Sequence, residues 1–392
     1  MGARAAAAAE AATAFVIERP RSSTGHGSPA GQGRLLSTEH DGHRGGRAGR
    51  RAVIGGLAAG LLAATLPAFG QAPSVQAPSR AADGAVKIQV EAHAIAAFDA
   101  RSPELRRFGA VDFLGGLELT SPYRDFGGLS ALRVLADGEH FVALSDRARW
   151  LTGRLVYSDG RPSGIADAAM APMLGPDGKA LTARGWYDTE SLTADGDVLY
   201  VGIERVHRIV RFDFGRSGVL AHGEPIAVPP GFSALPANKG IEALAFVPAG
   251  QPLAGTLIAV SERGLDRAGN IRAFLIGGPT PGEFSVKRSD EFDISDCALL
   301  PSGDLILLER RFTWTSGVAI RLRRVAAAAI RPGALVDGPV LLFADMGYQI
   351  DNMEGLAIHR NAAGDVLLTL ISDDNFSILQ RTLLLQFRLV GE

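Results

Sequence analysis

One pattern limits what this 392-residue chain can fold into: a two-strand unit recurs five times at a spacing too long for a hairpin. The first halves are FGGLSAL (126–132), YDTESLT (187–193), KGIEALAF (239–246), ISDCALL (294–300) and NMEGLAI (352–358). Each is a small or acidic residue followed by a short apolar run. After a turn usually marked by Asp-Gly or Gly-Asp comes a second run that ends in charge. These runs are HFVALSDR (140–147), DVLYVGIER (197–205), GTLIAVSER (255–263), GDLILLERR (303–311) and GDVLLTLISDD (364–374). Apolar runs with β-branched residues, closed by turn chemistry, are strands. With Asp146, Glu204, Glu262, Glu309 and Asp373 taken as equivalent, the steps are 58, 58, 47 and 64 residues. That is room for four strands, which is the period of a propeller blade.

The expected fold is therefore all-β, a single β-propeller over residues 85–392. Six blades are expected, with five as the nearest alternative, and the segment 86–120 with FLGGLEL (113–119) supplies the sixth. The last strand, TLLLQFRLV (382–390), should pair with the N-terminal material, because closure removes exposed sheet edges. A pair of β-sandwiches is the other candidate, but it would not demand charged clusters at equivalent repeat positions. Past residue 73 only the alanine-rich 325–330 has a helical look.

The first 51 residues are rich in Ala, Gly, Ser and Arg, without periodicity, and are expected to be a disordered tail. Arg50 and Arg51 then precede an uncharged stretch of 18 residues, 52–69. That order, over 50–72, predicts a twin-arginine-type signal peptide and a periplasmic or secreted protein. A retained span would want about 20 strongly apolar residues, so no stable membrane insertion is expected.

Residues 1–72 hold eight arginines against four carboxylates, so a whole-chain balance of −2 leaves −6 for the remainder. A mildly acidic domain lacks the basic face of a nucleic-acid binder. Cys297 is the lone cysteine, so no intrachain disulfide forms, and its apolar setting predicts a buried packing role.

In a blade the innermost strand crosses from one face to the other and the second strand returns. Residues opening the first strands (Glu190, Glu242, Asp296, Glu354) should thus share one mouth with those closing the second. The closing residues are Asp146 and Arg147, Glu204 and Arg205, Glu262 and Arg263, Glu309 and Arg310, Asp373 and Asp374. So many carboxylates repel one another unless cations lie among them. The four arginines are one supply; a hard divalent cation such as Ca²⁺ is the other, with Asn238, Asn352 and Asn375 as extra oxygen donors. Tying neighbouring blades together is the alternative role for any single Glu-Arg pair. The ring is asymmetric, with Gly128 where other units carry glutamate and an extra residue after Asp296.

Other signatures are missing. The chain has no Gly-x-Ser-x-Gly elbow, no zinc-spaced histidines and no nucleotide loop in a strand-to-helix context. His207 and His359 follow acidic clusters and are candidate bases, or else hydrogen-bonded strand histidines.

The strings FLGGLEL, FGGLSALR, ALSDR, TESLTADGD, GIEALAF, LLERRF, DNMEGLAI, ISDDNFS and QRTLLLQF together resemble the bacterial phytase-like family, also described by an esterase-like activity of phytase. The resemblance runs from about Val111 to Leu389. It implies a propeller that hydrolyses phosphate or carboxylic esters outside the cytoplasm. In the better understood propeller phytases, acidic residues hold several Ca²⁺ ions that bind phosphate and activate water.

On that basis Glu190, Glu242 and Glu354 are the expected catalytic carboxylates. Asp146, Glu204, Glu262, Glu309 and Asp374 are the expected Ca²⁺ ligands, and Arg147, Arg205, Arg263 and Arg310 the expected clamp on a small anionic or ester substrate. A monomer is expected. The alternative is a non-catalytic propeller that binds a small ligand or an envelope partner through the same face.

Overall fold

The computed structural model describes residues 84–392. The tail and signal segment expected from the sequence lie outside these residues. No described helix is long and apolar enough to cross a membrane.

Strands follow from the apolar runs. Leu305–Thr313, for example, buries its first five residues in succession because it is covered on both faces by neighbouring blades. Five sheets result, antiparallel apart from one short parallel pair at the outer edge of the third. Their innermost strands are Leu129–Val134, Thr189–Asp195, Ile241–Phe246, Asp293–Leu299 and Met353–Arg360. These five pack side by side in a ring, the fifth against the first. Short connections, nine residues long in the third blade, reverse each one into its second strand; at Asp195-Gly196 the glycine takes φ +55°, a left-handed conformation that a Cβ would disfavour.

The blades number five, not six. The segment expected to form a sixth is consumed by closure. Val111–Thr120 pairs along its length with Thr382–Leu389, and Glu91–Ile95 adds outside it, so the fifth blade is built from both ends of the domain. Val86–Lys87 instead extends the outer edge of the first blade, on Arg161–Pro172. The expected pairing of the last strand with N-terminal material is present. Phe98, Phe108, Phe113 and Phe387 pack at this closure with ring centroids 5.0–5.4 Å apart. The alanine-rich 325–330 contains only a 3-10 turn, Ala327–Ala329.

Candidate functional site

The ladders of all five blades share one irregularity. Where the innermost strand begins, a single residue is bulged out of register: Ser130, Glu190, Glu242, Ser295 and Glu354. A bulge of this kind re-aims a side chain. Two residues earlier, a main-chain carbonyl accepts from the amide of the residue that closes the second strand. The pairs are Asp146 to Gly128, Glu204 to Asp188, Glu262 to Gly240 and Asp373 to Asn352, at 2.8–2.9 Å. In the fourth blade the corresponding ladder partners are Asp293 and Arg310.

This register corrects the sequence reading in the fourth blade. Arg310, not Glu309, is equivalent to Glu262, and Ser295, not Asp296, is equivalent to Glu242. Glu309 is fully buried inside its blade, 2.6 Å from both Arg321 and Arg323. Two guanidiniums occupy its oxygens, so it is withdrawn from the expected metal set. Asp296 accepts from the amides of Cys297 and Leu356, each at 2.7 Å, and so ties the fourth blade to the fifth. Cys297 is buried beside it, and burial pushes its thiol well above the usual range.

The densest part of the ring lies across blades two and three. One carboxylate oxygen from each of Glu204, Glu242 and Glu262 falls within 4.8 Å of the others, and all three side chains are buried. Glu204 accepts from the Gly240 amide at 2.6 Å, and Glu262 accepts from Lys239 Nζ at 2.5 and 2.7 Å. Glu242 Oε2 has no hydrogen-bond partner. Burial is the main cause of the raised pKa values, and neighbouring negative charge adds to it. It lifts Glu204 to about 7 and Glu242 well above the usual range. Glu262 is raised too, with Lys239 working against the shift.

On the other side of the mouth, burial and then the charge of Glu354 push Glu190 well up. The same two causes raise Asp373 to about 8, and burial raises Asp146 to about 6. Glu354 accepts from Asn352 Nδ2 at 2.9 Å and pairs with Arg310 at 3.2 Å. Arg310 also donates to Asn352 and lies 3.9 Å from Glu262. It is the cation that bridges the two halves of the ring.

The remaining arginines stand one residue further out. Arg147 stacks 3.3 Å from the Phe376 ring centre and Arg205 lies 4.4 Å from that of Tyr187, while Arg263 donates to Asp293 at 2.7 Å. All three are exposed at the rim. Asp374 accepts from the amides of Gly128 and Phe376 and from the Thr382 hydroxyl, each at 2.9 Å. It is a clasp on the loop. A Cβ at Gly128 (φ +60°) would come within 2.4 Å of both Asp146 and Phe376, which is why the first unit carries glycine there. Of the asparagines only Asn352 joins the ring; Asn238 and Asn375 are exposed.

Lys239 and Ser295 were not singled out in the sequence. The motif small-or-acidic, apolar, Ser-or-Glu would have found the serine, since Asp293-Ile-Ser295 aligns with Asp188-Thr-Glu190.

The donor set fits a hard divalent cation. Three carboxylates converge, one oxygen is orphaned, and oxygen ligands of this type suit Ca²⁺.

An endo-arabinase from Bacteroides thetaiotaomicron aligns at 12% identity over 67% of this chain and 95% of its own, with a TM-score of 0.40. An α-L-arabinofuranosidase from Podospora anserina aligns at 11% identity over 71% and 97%, TM-score 0.42. The glutaminyl cyclase of Myxococcus xanthus aligns at 12% over 68% and 92%, TM-score 0.35. No curated protein matches the chain. Residues 124–376, which contain the complete carboxylate ring, match the model of one family. By that match, the chain belongs to the phytase-like family, described as esterase-like activity of phytase.

Proposed function

We propose that this protein is an exported ester hydrolase whose chemistry is done by the Glu204–Glu242–Glu262 cluster. The observation that carries the reading is the coincidence, in one buried triad, of an orphaned carboxylate oxygen with raised carboxyl pKa values, that of Glu204 reaching about 7. Perturbed groups converging in a concave site are where proton-transfer chemistry is expected.

The roles follow from the acidities. A base works best when its pKa lies near the working pH, and Glu204, at about 7, meets that condition for taking a proton from attacking water. Glu242, held protonated chiefly by burial, is suited to deliver that proton to the departing alcohol oxygen. Lys239 and Arg310 supply fixed positive charge for the anion that develops on a phosphoryl or acyl group. Once deprotonated, Glu204, Glu242 and Glu262 would instead hold a Ca²⁺ ion. Such an ion polarises a phosphoryl or carbonyl oxygen and lowers the pKa of bound water. Arg147 and Arg205, exposed at the rim, are placed to meet an anionic substrate before it reaches the ring.

The test is hydrolysis of p-nitrophenyl phosphate and p-nitrophenyl acetate, with Ca²⁺ and with chelator. Glu242→Gln keeps the shape and removes the acid, and should lower turnover by about 10²–10⁴-fold, the usual contribution of a positioned acid or base. Turnover equal to that of the unsubstituted protein would overturn the reading. Tight binding of either ester without turnover under any metal would favour a non-catalytic binder.

A further inference from the structure

The channel has a second end. Past the carboxylates, the later residues of the five innermost strands enclose a cavity of about 380 Å³, within the size range of small-molecule sites. Its wall is polar and apolar in similar measure, and the apolar part comes from Leu192, Leu244, Phe246, Leu299, Leu356 and Ile358.

Several polar side chains interrupt the apolar part, among them Arg133 of the first blade and His359 of the fifth. Counting from the bulge, Arg133 is equivalent to Thr193, Ala245, Ala298 and Ala357. Four blades use a small residue here and the first uses a guanidinium. Among the described residues Arg133 forms no ion pair or hydrogen bond, and burial alone lowers its pKa from the usual value. A guanidinium so placed stays charged.

His359 lines the same cavity, is 9% exposed, and has neither ring nitrogen hydrogen-bonded. A hydrogen-bonded strand histidine was the sequence expectation. Burial lowers it to about 4, so at neutral pH it offers one N–H donor and one bare acceptor. A buried polar group without a partner is costly. The His359 nitrogens are closed off from the cavity in this conformation, so His359 is part of the wall beside Arg133.

We propose that this cavity is a second ligand site, for a small organic monoanion with a carboxylate head and a short apolar body. The head accepts from the Arg133 guanidinium, and the body lies against the leucines. A polyanion is disfavoured. Arg360, the other basic residue of the lining, donates to the Gly364 carbonyl at 2.6 Å, and the Asp195 carboxylate also faces the cavity's edge. The site does not depend on the hydrolase reading, because none of its residues belongs to the acidic ring.

Calorimetric titration of the full chain with hexanoate tests it, with hexan-1-ol as the neutral counterpart and inorganic phosphate as the anion without an apolar body. Hexanoate should bind saturably at one site. Hexanol and phosphate should bind at least about tenfold more weakly, and Arg133→Met should weaken hexanoate by a similar factor, as loss of a charge-assisted bidentate contact implies. Equal binding of hexanol, unchanged affinity in Arg133→Met, or no hexanoate binding at millimolar concentration overturns the proposal. A measurement on the unsubstituted protein guards against a variant that fails to fold. The imidazole nitrogen resonances of His359 should shift along the same saturation curve, and their staying fixed while hexanoate binds would place the ligand elsewhere.

Discussion

Glu242 and Glu309 sit on neighbouring blades, and both are buried, at 7% and 0% exposure. They solve the cost of burying a carboxylate in opposite ways. Glu309 is neutralised by two guanidiniums that fill its oxygens, and Arg323 in turn holds Asp337 at 2.7 Å. Glu242 faces other carboxylates across the channel, keeps one oxygen bare, and is neutralised by retaining its proton. A buried carboxylate with dedicated cations is part of the scaffold. One that relies on a proton can exchange it with substrate, water or a metal ion. The fourth blade thus anchors the ring, and the second and third blades arm it.

The largest effect should come from breaking the scaffold member. Glu309→Ala leaves Arg321 and Arg323 buried with only the more exposed Asp290 and Asp337 as counter-ions, and removal of a buried partner from such a network costs up to about 3–5 kcal/mol. The urea midpoint should fall accordingly, while turnover per folded molecule is retained. Glu242→Gln should do the reverse, keeping the midpoint and losing turnover. Two variants with the same stability loss would dissolve the distinction between the two glutamates.

The proton-dependent side predicts a particular pH behaviour. For a carboxylate whose folded pKa is raised above its unfolded value, the folded state binds the proton more tightly. Stability is greatest below the unfolded pKa and is lost as pH rises towards the folded one. Asp146 at about 6, Glu204 at about 7 and Asp373 at about 8 set the window. The melting temperature should therefore fall between pH 5 and pH 8, by several degrees if the net loss is a few kcal/mol. Millimolar Ca²⁺ should restore part of it at pH 8 by replacing the protons, and Glu242→Gln should blunt both the fall and the rescue. A melting temperature flat across this range would mean that the ring carboxylates are matched in ways the geometry does not contain.

How far the sequence foretold this arrangement depends on the element. The repeat was legible because a blade imposes the same apolar-turn-apolar order on each unit, and the acidic mouth followed from strand direction alone. The blade number was not legible. Val111–Thr120 has the composition of any inner strand, and only its ladder to Thr382–Leu389 shows that it completes an existing blade. The misplacement of Glu309 has a sharper cause. In a strand the side-chain period is two, so an error of one residue exchanges the channel face for the blade interior. The string LERR offers Glu309 and Arg310 as adjacent choices, and the acidic residue was matched to the acidic residues of other blades. Arg321 and Arg323, two residues apart on the neighbouring strand and facing Glu309, are the signal that would have corrected the match. The orphaned nitrogens of His359 were beyond sequence reasoning, because they depend on what its neighbours fail to offer.

The smallest effect separates the two arginines that the sequence treated alike. Arg310 lies 3.2 Å from Glu354 and 3.9 Å from Glu262, whereas Arg263 is paired with Asp293 outside the ring. Removing a cation beside buried carboxylates makes their charged forms less favourable, so their pKa values rise. In Arg310→Met the acidic limb set by Glu204 should move to higher pH by roughly one unit, equivalent to about 1.4 kcal/mol of lost charge stabilisation. Arg263→Met should leave that limb where it is, because the charge it removes compensates Asp293 and not the ring. The pH dependence of kcat/KM on a carboxylic ester, which carries no charge of its own, isolates this shift from any change in substrate attraction. Equal shifts in the two variants would show that the ring senses the mouth's total charge, and that the register-specific position of Arg310 confers nothing further.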